Sequence, residues 1–118
     1  MQYEEIQEEL RGAIRQLIRN DRFLLEYAVR EEAVSHRIAV YLEPRFSEYN
    51  VDCEYDCDLD SESGRKRVKY EDQPTESPVR PDIIIHHRGL NGSDHNQLVV
   101  ELKKVPGKRM MWIRIARN

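Results

Sequence analysis

The fold of this chain is decided by two segments, Pro81-Asp82-Ile83-Ile84-Ile85-His86 and Gln97-Leu98-Val99-Val100-Glu101-Leu102-Lys103. Continuous β-branched and apolar runs of this kind are typical of buried strands. Residues 88–96 between them are polar and contain two glycines, which indicates a turn or loop. If the two strands pair antiparallel, the start of the first lies beside the end of the second.

Charged residues lie at that shared end. Asp82 opens the first strand, and Glu101 and Lys103 lie near the end of the second. Alternate residues of a strand share a face, so Glu101 and Lys103 lie on one side of the sheet, and antiparallel pairing would bring Asp82 close to Glu101. Carboxylate oxygens suit Mg²⁺ or Mn²⁺, and a nearby lysine can orient a water or stabilise developing charge. The pattern fits phosphodiester hydrolysis.

The same residues also have a purely structural interpretation. In it, Asp82 caps a strand, Glu101 and Lys103 form an ion pair at a sheet edge, and no reaction takes place. Without a wider pattern this interpretation is favoured, because an Asp followed at a distance by Glu-x-Lys occurs often by chance.

The rest of the chain supplies two helices and further strands. Apolar residues at helical spacing predict helices, and alternating or short apolar runs predict strands. The predicted elements are helices over 3–19 and 30–43, strands over 50–57, 83–85, 97–102 and 110–115, and a brief strand near 67–70 within a long mobile connection, 58–80. This order indicates an α+β domain with a small mixed β-sheet and two N-terminal helices.

The segment from Arg80 to Lys104 resembles the PD-(D/E)XK, or restriction-endonuclease-like, nuclease superfamily. Val51-Asp52-Cys53-Glu54-Tyr55 is similar to the preceding strand in a small uncharacterised prokaryotic branch of it. The segment from Glu32 to Leu42 is similar to the first core helix, so the resemblance covers roughly residues 23–104.

The resemblance implies a metal-dependent nuclease with a restriction-endonuclease-like α/β core. Asp82 and Glu101 would hold Mg²⁺ or Mn²⁺, and Lys103 would be the catalytic lysine. Glu32, with Glu31 as the less favoured choice, would be the acidic residue of the first core helix. DNA is the expected substrate by analogy of fold alone.

The chain departs from the superfamily after Lys104. The superfamily core continues with a helix and a further strand, whereas only the fourteen residues 105–118 follow here. We therefore expect a C-terminally short core, completed by a partner chain or a second copy, with Trp112 at an interface. The alternative function is that of a catalytically inactive nuclease fold that binds nucleic acid or a protein partner. A third hypothesis is a structural homodimer formed through the first helix and the Trp112 segment.

Length and charge set further expectations. The 118 residues suit a single domain, 1–118, and the net charge of −3 is unlike that of a passive nucleic-acid coat protein. The basic cluster Arg65-Lys66-Arg67, together with Lys104, is expected to contact phosphates, although the cluster could equally offset the acidic loop before it.

The sequence also predicts a location. The N-terminus does not fit a signal peptide, and no apolar run is long enough to span a membrane. We therefore expect a cytoplasmic protein, with no membrane partner and with both cysteines reduced.

Overall fold

The structure is a computed structural model, and it describes residues 1–27, 30–55, 67–68, 77–78, 81–90, 95–105, 107 and 111–116. Its helices are α1 (Tyr3–Asn20), α2 (Arg22–Glu26) and α3 (Glu31–Leu42), followed by a 3₁₀ helix (Glu43–Phe46). Its strands are β1 (Asn50–Cys53), β2 (Arg67–Val68), β3 (Ser77–Pro78), β4 (Ile83–His86), β5 (Asn96–Lys104) and β6 (Met111–Ala116). The α+β class and both predicted N-terminal helices are confirmed.

Helices α1 and α3 pack against each other through buried apolar residues, and α3 also lies against β1 and β5 of the sheet. In α1, Ile6, Leu10, Ala13 and Leu17 recur at helical spacing and are all buried. Acidic residues occupy its first turn and Arg19 its last, which suits the helix dipole. Helix α3 ends directly before the 3₁₀ helix that contains Pro44, a residue that disfavours continuation of the α-helix.

A third, short helix lies between these two, in a segment for which the sequence analysis predicted no element. Helix α2 places Leu24 and Leu25 against the main core. Phe23 points outward, with 65% of its surface exposed, and stacks on Tyr27 at a centroid distance of 4.5 Å. The apolar residues of this helix are therefore only partly buried.

The main sheet has the strand order β1-β4-β5-β6, and every neighbouring pair in it is antiparallel. The prediction of a mixed sheet is wrong. Strands β4, β5 and β6 follow one another through short connections, and such connections return the chain antiparallel. The long connection 58–80 lies outside the described residues except for β2 and β3, which pair antiparallel with each other.

Strand β1 is shorter than the predicted strand over 50–57. Glu54, the residue after it, has a φ of 52°, in the left-handed region that non-glycine residues rarely adopt. This conformation turns the chain out of the strand. Val51 packs against the main core as its alternation predicts, whereas Cys53 is exposed.

Both faces of the sheet are covered. Ile83, Ile85 and Val100 face the helices and join the main core. Ile84 and Val99 face the other way and form a second cluster with Ala116, against which Tyr55 packs. Ile83, Ile84 and Ile85 are each 0% exposed, so the prediction of a buried isoleucine strand is confirmed. Among the residues that the structure describes, no helix is long and apolar enough to cross a membrane.

Candidate active site

Asp82 lies at the end of the sheet where β4 begins. Ile83 pairs with Val100, so the antiparallel register brings Asp82 opposite Glu101. The Oδ2 atom of Asp82 accepts a hydrogen bond of 2.6 Å from the backbone N–H of Leu102. Strand β4 starts only at Ile83 and so offers no backbone acceptor to the Leu102 N–H. The Asp82 carboxylate takes the place of that acceptor. The predicted juxtaposition with Glu101 is confirmed, and the hydrogen bond is the cap that the structural interpretation assigned to Asp82.

Glu101 is paired with an arginine that the sequence analysis did not identify. Arg114 lies directly across the β5–β6 pair from Glu101, and its guanidinium donates a hydrogen bond of 2.5 Å to Glu101 Oε2. Both side chains are largely buried. The ion pair expected between Glu101 and Lys103 in the structural interpretation is therefore replaced by one between neighbouring strands.

The acidic residue of α3 that reaches the sheet is Glu31. Its Oε1 atom accepts a hydrogen bond of 3.2 Å from the backbone N–H of Lys104. Glu32 is exposed, as is His36 one turn later. Helical spacing in the sequence already favoured Glu31 over Glu32 as the residue that faces the sheet, because Glu31 shares a face with the buried Val34, Ser35 and Ile38.

Burial and nearby negative charge raise the pKa of Asp82. Burial of the carboxyl is the largest cause, and the carboxylates of Glu101 and Glu31 act in the same direction. The Leu102 N–H and the charge of Lys103 oppose the shift. Two carboxylates and one ammonium group thus act on Asp82 at this end of the sheet, and we call Asp82, Glu101, Glu31 and Lys103 the carboxylate edge.

The basic residues predicted to contact substrate are placed only in part. Lys103 is exposed and lies across β5–β6 from Trp112. Lys104 lines a shallow open depression together with Arg30, Glu31 and Glu32. Arg65 and Lys66 lie outside the described residues, and Arg67 is described only as a backbone position in β2. Trp112, the predicted interface residue, is 47% exposed.

The acids of the carboxylate edge are of the donor type that hard divalent cations prefer. Asp82, Glu101 and Glu31 each use one oxygen in the contacts above. Mg²⁺ typically takes one or two carboxylates and completes its shell with waters and substrate oxygens. Within the described part of the chain, no three His, Cys, Asp or Glu side chains are grouped closely enough to hold a metal together. Only the chemistry of the donors, and not their grouping, therefore suits such an ion.

A second polar cluster lies on the same face of the sheet, at its other end. Asp52 Oδ2 lies 2.8 Å from Nε2 of the fully buried His86, and Arg88 donates two hydrogen bonds to Asp52, of 2.9 and 2.6 Å. The Arg88 guanidinium and, to a lesser extent, His86 lower the pKa of Asp52 against the opposing effect of burial. The cluster ties β1 to β4, and the sequence analysis did not identify it.

This cluster predicts a pH-dependent contribution to stability. Because the folded-state pKa of Asp52 is lowered, the stabilisation is present above the unfolded-state pKa of about 3.9 and is lost as the pH falls through the folded value. We expect Asp52→Asn to reduce the free energy of unfolding at pH 7 by about 1 kcal/mol, since solvent around the exposed Arg88 screens the pair. Urea unfolding at several pH values measures this difference.

The difference between Asp52→Asn and the unmodified protein should shrink as the pH falls below the unfolded-state pKa of Asp52 and through its lowered folded-state pKa. Glu26→Gln, in an exposed pair with Arg22, is the matched control and should change stability little at any pH. A difference that grows as the pH falls from neutral into the acid range would contradict the assignment.

Comparison of the chain with known proteins found no match among protein-family models, curated proteins or solved structures.

Proposed function

We propose that this protein is a divalent-metal-dependent nuclease of the PD-(D/E)XK type, with a restriction-endonuclease-like core and DNA as its substrate. One observation carries the proposal: the antiparallel register sets a partly buried Asp82 opposite Glu101, and its pKa is raised first by burial and then by the carboxylates of Glu101 and Glu31. Close carboxylates destabilise one another's charged forms, and a bound divalent cation relieves that repulsion. Acids whose pKa is shifted by burial and by neighbouring charge are concentrated at functional sites.

In this proposal Asp82 and Glu101 hold Mg²⁺ or Mn²⁺. Glu31 takes the supporting role that the resemblance assigned to Glu32, because Glu31 is the residue that reaches β5. When bound, the metal lowers the pKa of a water and neutralises charge at the phosphorus. Lys103 orients that water or stabilises the charge that develops on the phosphate.

Basic side chains position the substrate backbone in this proposal. Lys104 borders the depression beside α3. Arg65, Lys66 and Arg67, which the sequence alone suggests, supply further phosphate contacts. Arg114 takes part as well, since its guanidinium can exchange Glu101 for a phosphate oxygen of similar geometry. The proposal places this activity in the cytoplasm.

A second function is favoured by the contacts that the carboxylates already make. Leu102, Arg114 and Lys104 each donate a hydrogen bond to one of the three acids, which gives every acid a structural role without metal. A nuclease fold that has lost catalysis would keep such contacts. It would then bind nucleic acid or a protein partner, including a second copy of this chain, without cutting.

Lys103→Ala separates these two functions. Lys103 is exposed, so its removal should leave the fold intact and lower metal-dependent DNA cleavage by about a hundredfold or more, as the loss of one group that stabilises the transition state typically does. Cleavage of supercoiled plasmid and of single-stranded DNA, each with Mg²⁺ or Mn²⁺, measures the effect. Arg11→Ala, an exposed change on α1, is the matched control and should cut normally.

The outcomes divide cleanly. Metal-dependent cutting that Lys103→Ala abolishes and Arg11→Ala preserves supports the nuclease. Absence of cutting by the folded, unmodified protein on both substrates and with both metals overturns it and favours the binding function. Cutting that persists in Lys103→Ala would assign the activity to a contaminant or to another site.

A further inference from the structure

Two histidines face each other at the end of the sheet opposite the carboxylate edge. His87 follows β4 directly and His95 precedes β5, so the pair brackets residues 88–94. Their Nδ1 atoms lie 3.1 Å apart, and the His87 backbone N–H donates a hydrogen bond of 2.9 Å to the His95 carbonyl. Both side chains are half-buried. The backbone contact therefore fixes the distance between two imidazoles that the sequence separates by eight positions.

The ring of His87 is oriented by its neighbours. Its Nε2 atom lies 3.1 Å from the carbonyl oxygen of Glu48, an atom that can only accept, so Nε2 carries the proton. In the neutral ring, Nδ1 is then the nitrogen with the lone pair, and it faces His95. Tyr49 stacks on the same ring with centroids 4.6 Å apart. A backbone carbonyl that holds the distal N–H of an imidazole is the usual outer contact of a metal-binding histidine.

We propose that His87 and His95 form a two-imidazole site for a late first-row transition ion of the Zn²⁺, Cu²⁺ or Ni²⁺ class, bound through both Nδ1 atoms. Two metal–nitrogen bonds of about 2.05 Å that span the 3.1 Å separation enclose an angle of about 98°, between the square-planar and tetrahedral values. Imidazole nitrogens favour these ions, whereas the carboxylate edge favours Mg²⁺ or Mn²⁺. The site is therefore distinct in place and in chemistry from the proposed active site.

Binding requires one proton to move. Without metal, His95 Nδ1–H donates to the lone pair of His87 Nδ1. In the complex, His95 carries its proton on Nε2 instead, exchanged through solvent, so that both Nδ1 lone pairs are available to the ion. The ion then links the two ends of the 88–94 segment. It adds to the backbone hydrogen bond between His87 and His95 in holding that loop closed.

Titration calorimetry with Zn²⁺ tests the site on the full chain. The unmodified protein should bind one Zn²⁺ per chain at these residues, and His95→Gln should weaken that binding at least about tenfold. His36→Gln is the matched control, because His36 is an exposed histidine on α3 and should not contribute. His87→Asn provides a second variant should His95→Gln fold poorly, and circular dichroism checks both.

Asp82→Asn distinguishes this site from the carboxylate edge and should leave Zn²⁺ binding unchanged. The inference is overturned if the unmodified protein does not bind Zn²⁺, if His95→Gln and His87→Asn bind it as well as the unmodified protein does, or if His36→Gln or Asp82→Asn causes the same loss. Because the readout is Zn²⁺ binding, the inference stands or falls independently of nuclease activity.

Discussion

Replacing Asp82 with asparagine is expected to abolish metal-dependent cleavage and to leave the protein at least as stable at neutral pH. Asparagine keeps an oxygen that can accept the hydrogen bond from the Leu102 N–H, but it removes the charge that would hold a divalent cation. We expect cleavage to fall by about a hundredfold or more, the effect of losing a principal group for charge stabilisation. Stability is retained because the amide preserves the cap.

The pH dependence gives the sign of the stability change. The folded-state pKa of Asp82 is raised, chiefly by burial, so its contribution to stability is fully present below the unfolded-state value and is lost as the pH rises through the folded value. At pH 7 the ionised carboxylate is therefore a cost to the fold. Asp82→Asn removes this cost, so the variant should gain stability relative to the unmodified protein as the pH rises from 4 to 7.

Asp82→Ala serves as the matched comparison. It leaves the Leu102 N–H without its acceptor and should lower the free energy of unfolding by about 1–3 kcal/mol. Urea unfolding and plasmid cleavage, measured on both variants, separate the structural role of Asp82 from its proposed catalytic role. An Asp82→Asn protein that still cuts DNA normally would rule out Asp82 as a metal ligand. Equal stability losses in the two variants would contradict the capping role.

The second large effect is expected at neighbouring isoleucines on opposite faces of β4. Ile84→Ala and Ile85→Ala should each lower the free energy of unfolding by about 2–5 kcal/mol, because both side chains are completely buried. That loss is a large share of the roughly 5–15 kcal/mol that stabilises an ordinary domain. Ile85 lies against the helices, and Ile84 belongs to the cluster on the other face.

Denaturant unfolding of the two variants tests whether both faces are equally well packed. Val40→Ala, at an exposed position of α3, is the control and should change stability by no more than about 0.5 kcal/mol. If Ile85→Ala lowers the free energy of unfolding as expected and Ile84→Ala lowers it no more than the control does, the face of the sheet that carries Ile84 is poorly covered in solution.

Periodicity was sufficient to predict the elements that carry the fold. The apolar positions of α1, the isoleucines of β4 and the apolar run of β5 have regular spacing and are buried, so local patterns identify them. The proximity of Asp82 and Glu101 was also predictable. Asp82 begins one strand and Glu101 lies near the end of the next, so antiparallel pairing places both at the same end of the sheet. The prediction of Glu32 followed the resemblance, whereas helical spacing favours Glu31.

Contacts that depend on the register between strands were not predictable. Arg114 reaches Glu101 only because β6 aligns with β5 at that pair, and a short apolar segment does not determine its own register. Asp52 reaches His86 because β1 returns to β4 after a long connection. The sheet was wrongly predicted to be mixed for a related reason: the order of strands along the chain does not specify the direction in which β1, separated from β4 by a long connection, pairs with it.

The path of the chain through the main sheet also has a kinetic consequence. Strands β4, β5 and β6 are consecutive neighbours, so their contacts close only short loops and can form early. For strand β1 to pair with β4, residues 54–82 must form a closed loop, and closing that loop has an entropic cost of about 3 kcal/mol. We therefore expect the three-stranded meander to organise first and β1 to dock late, so that substitutions at Asp52 act mainly on the unfolding rate.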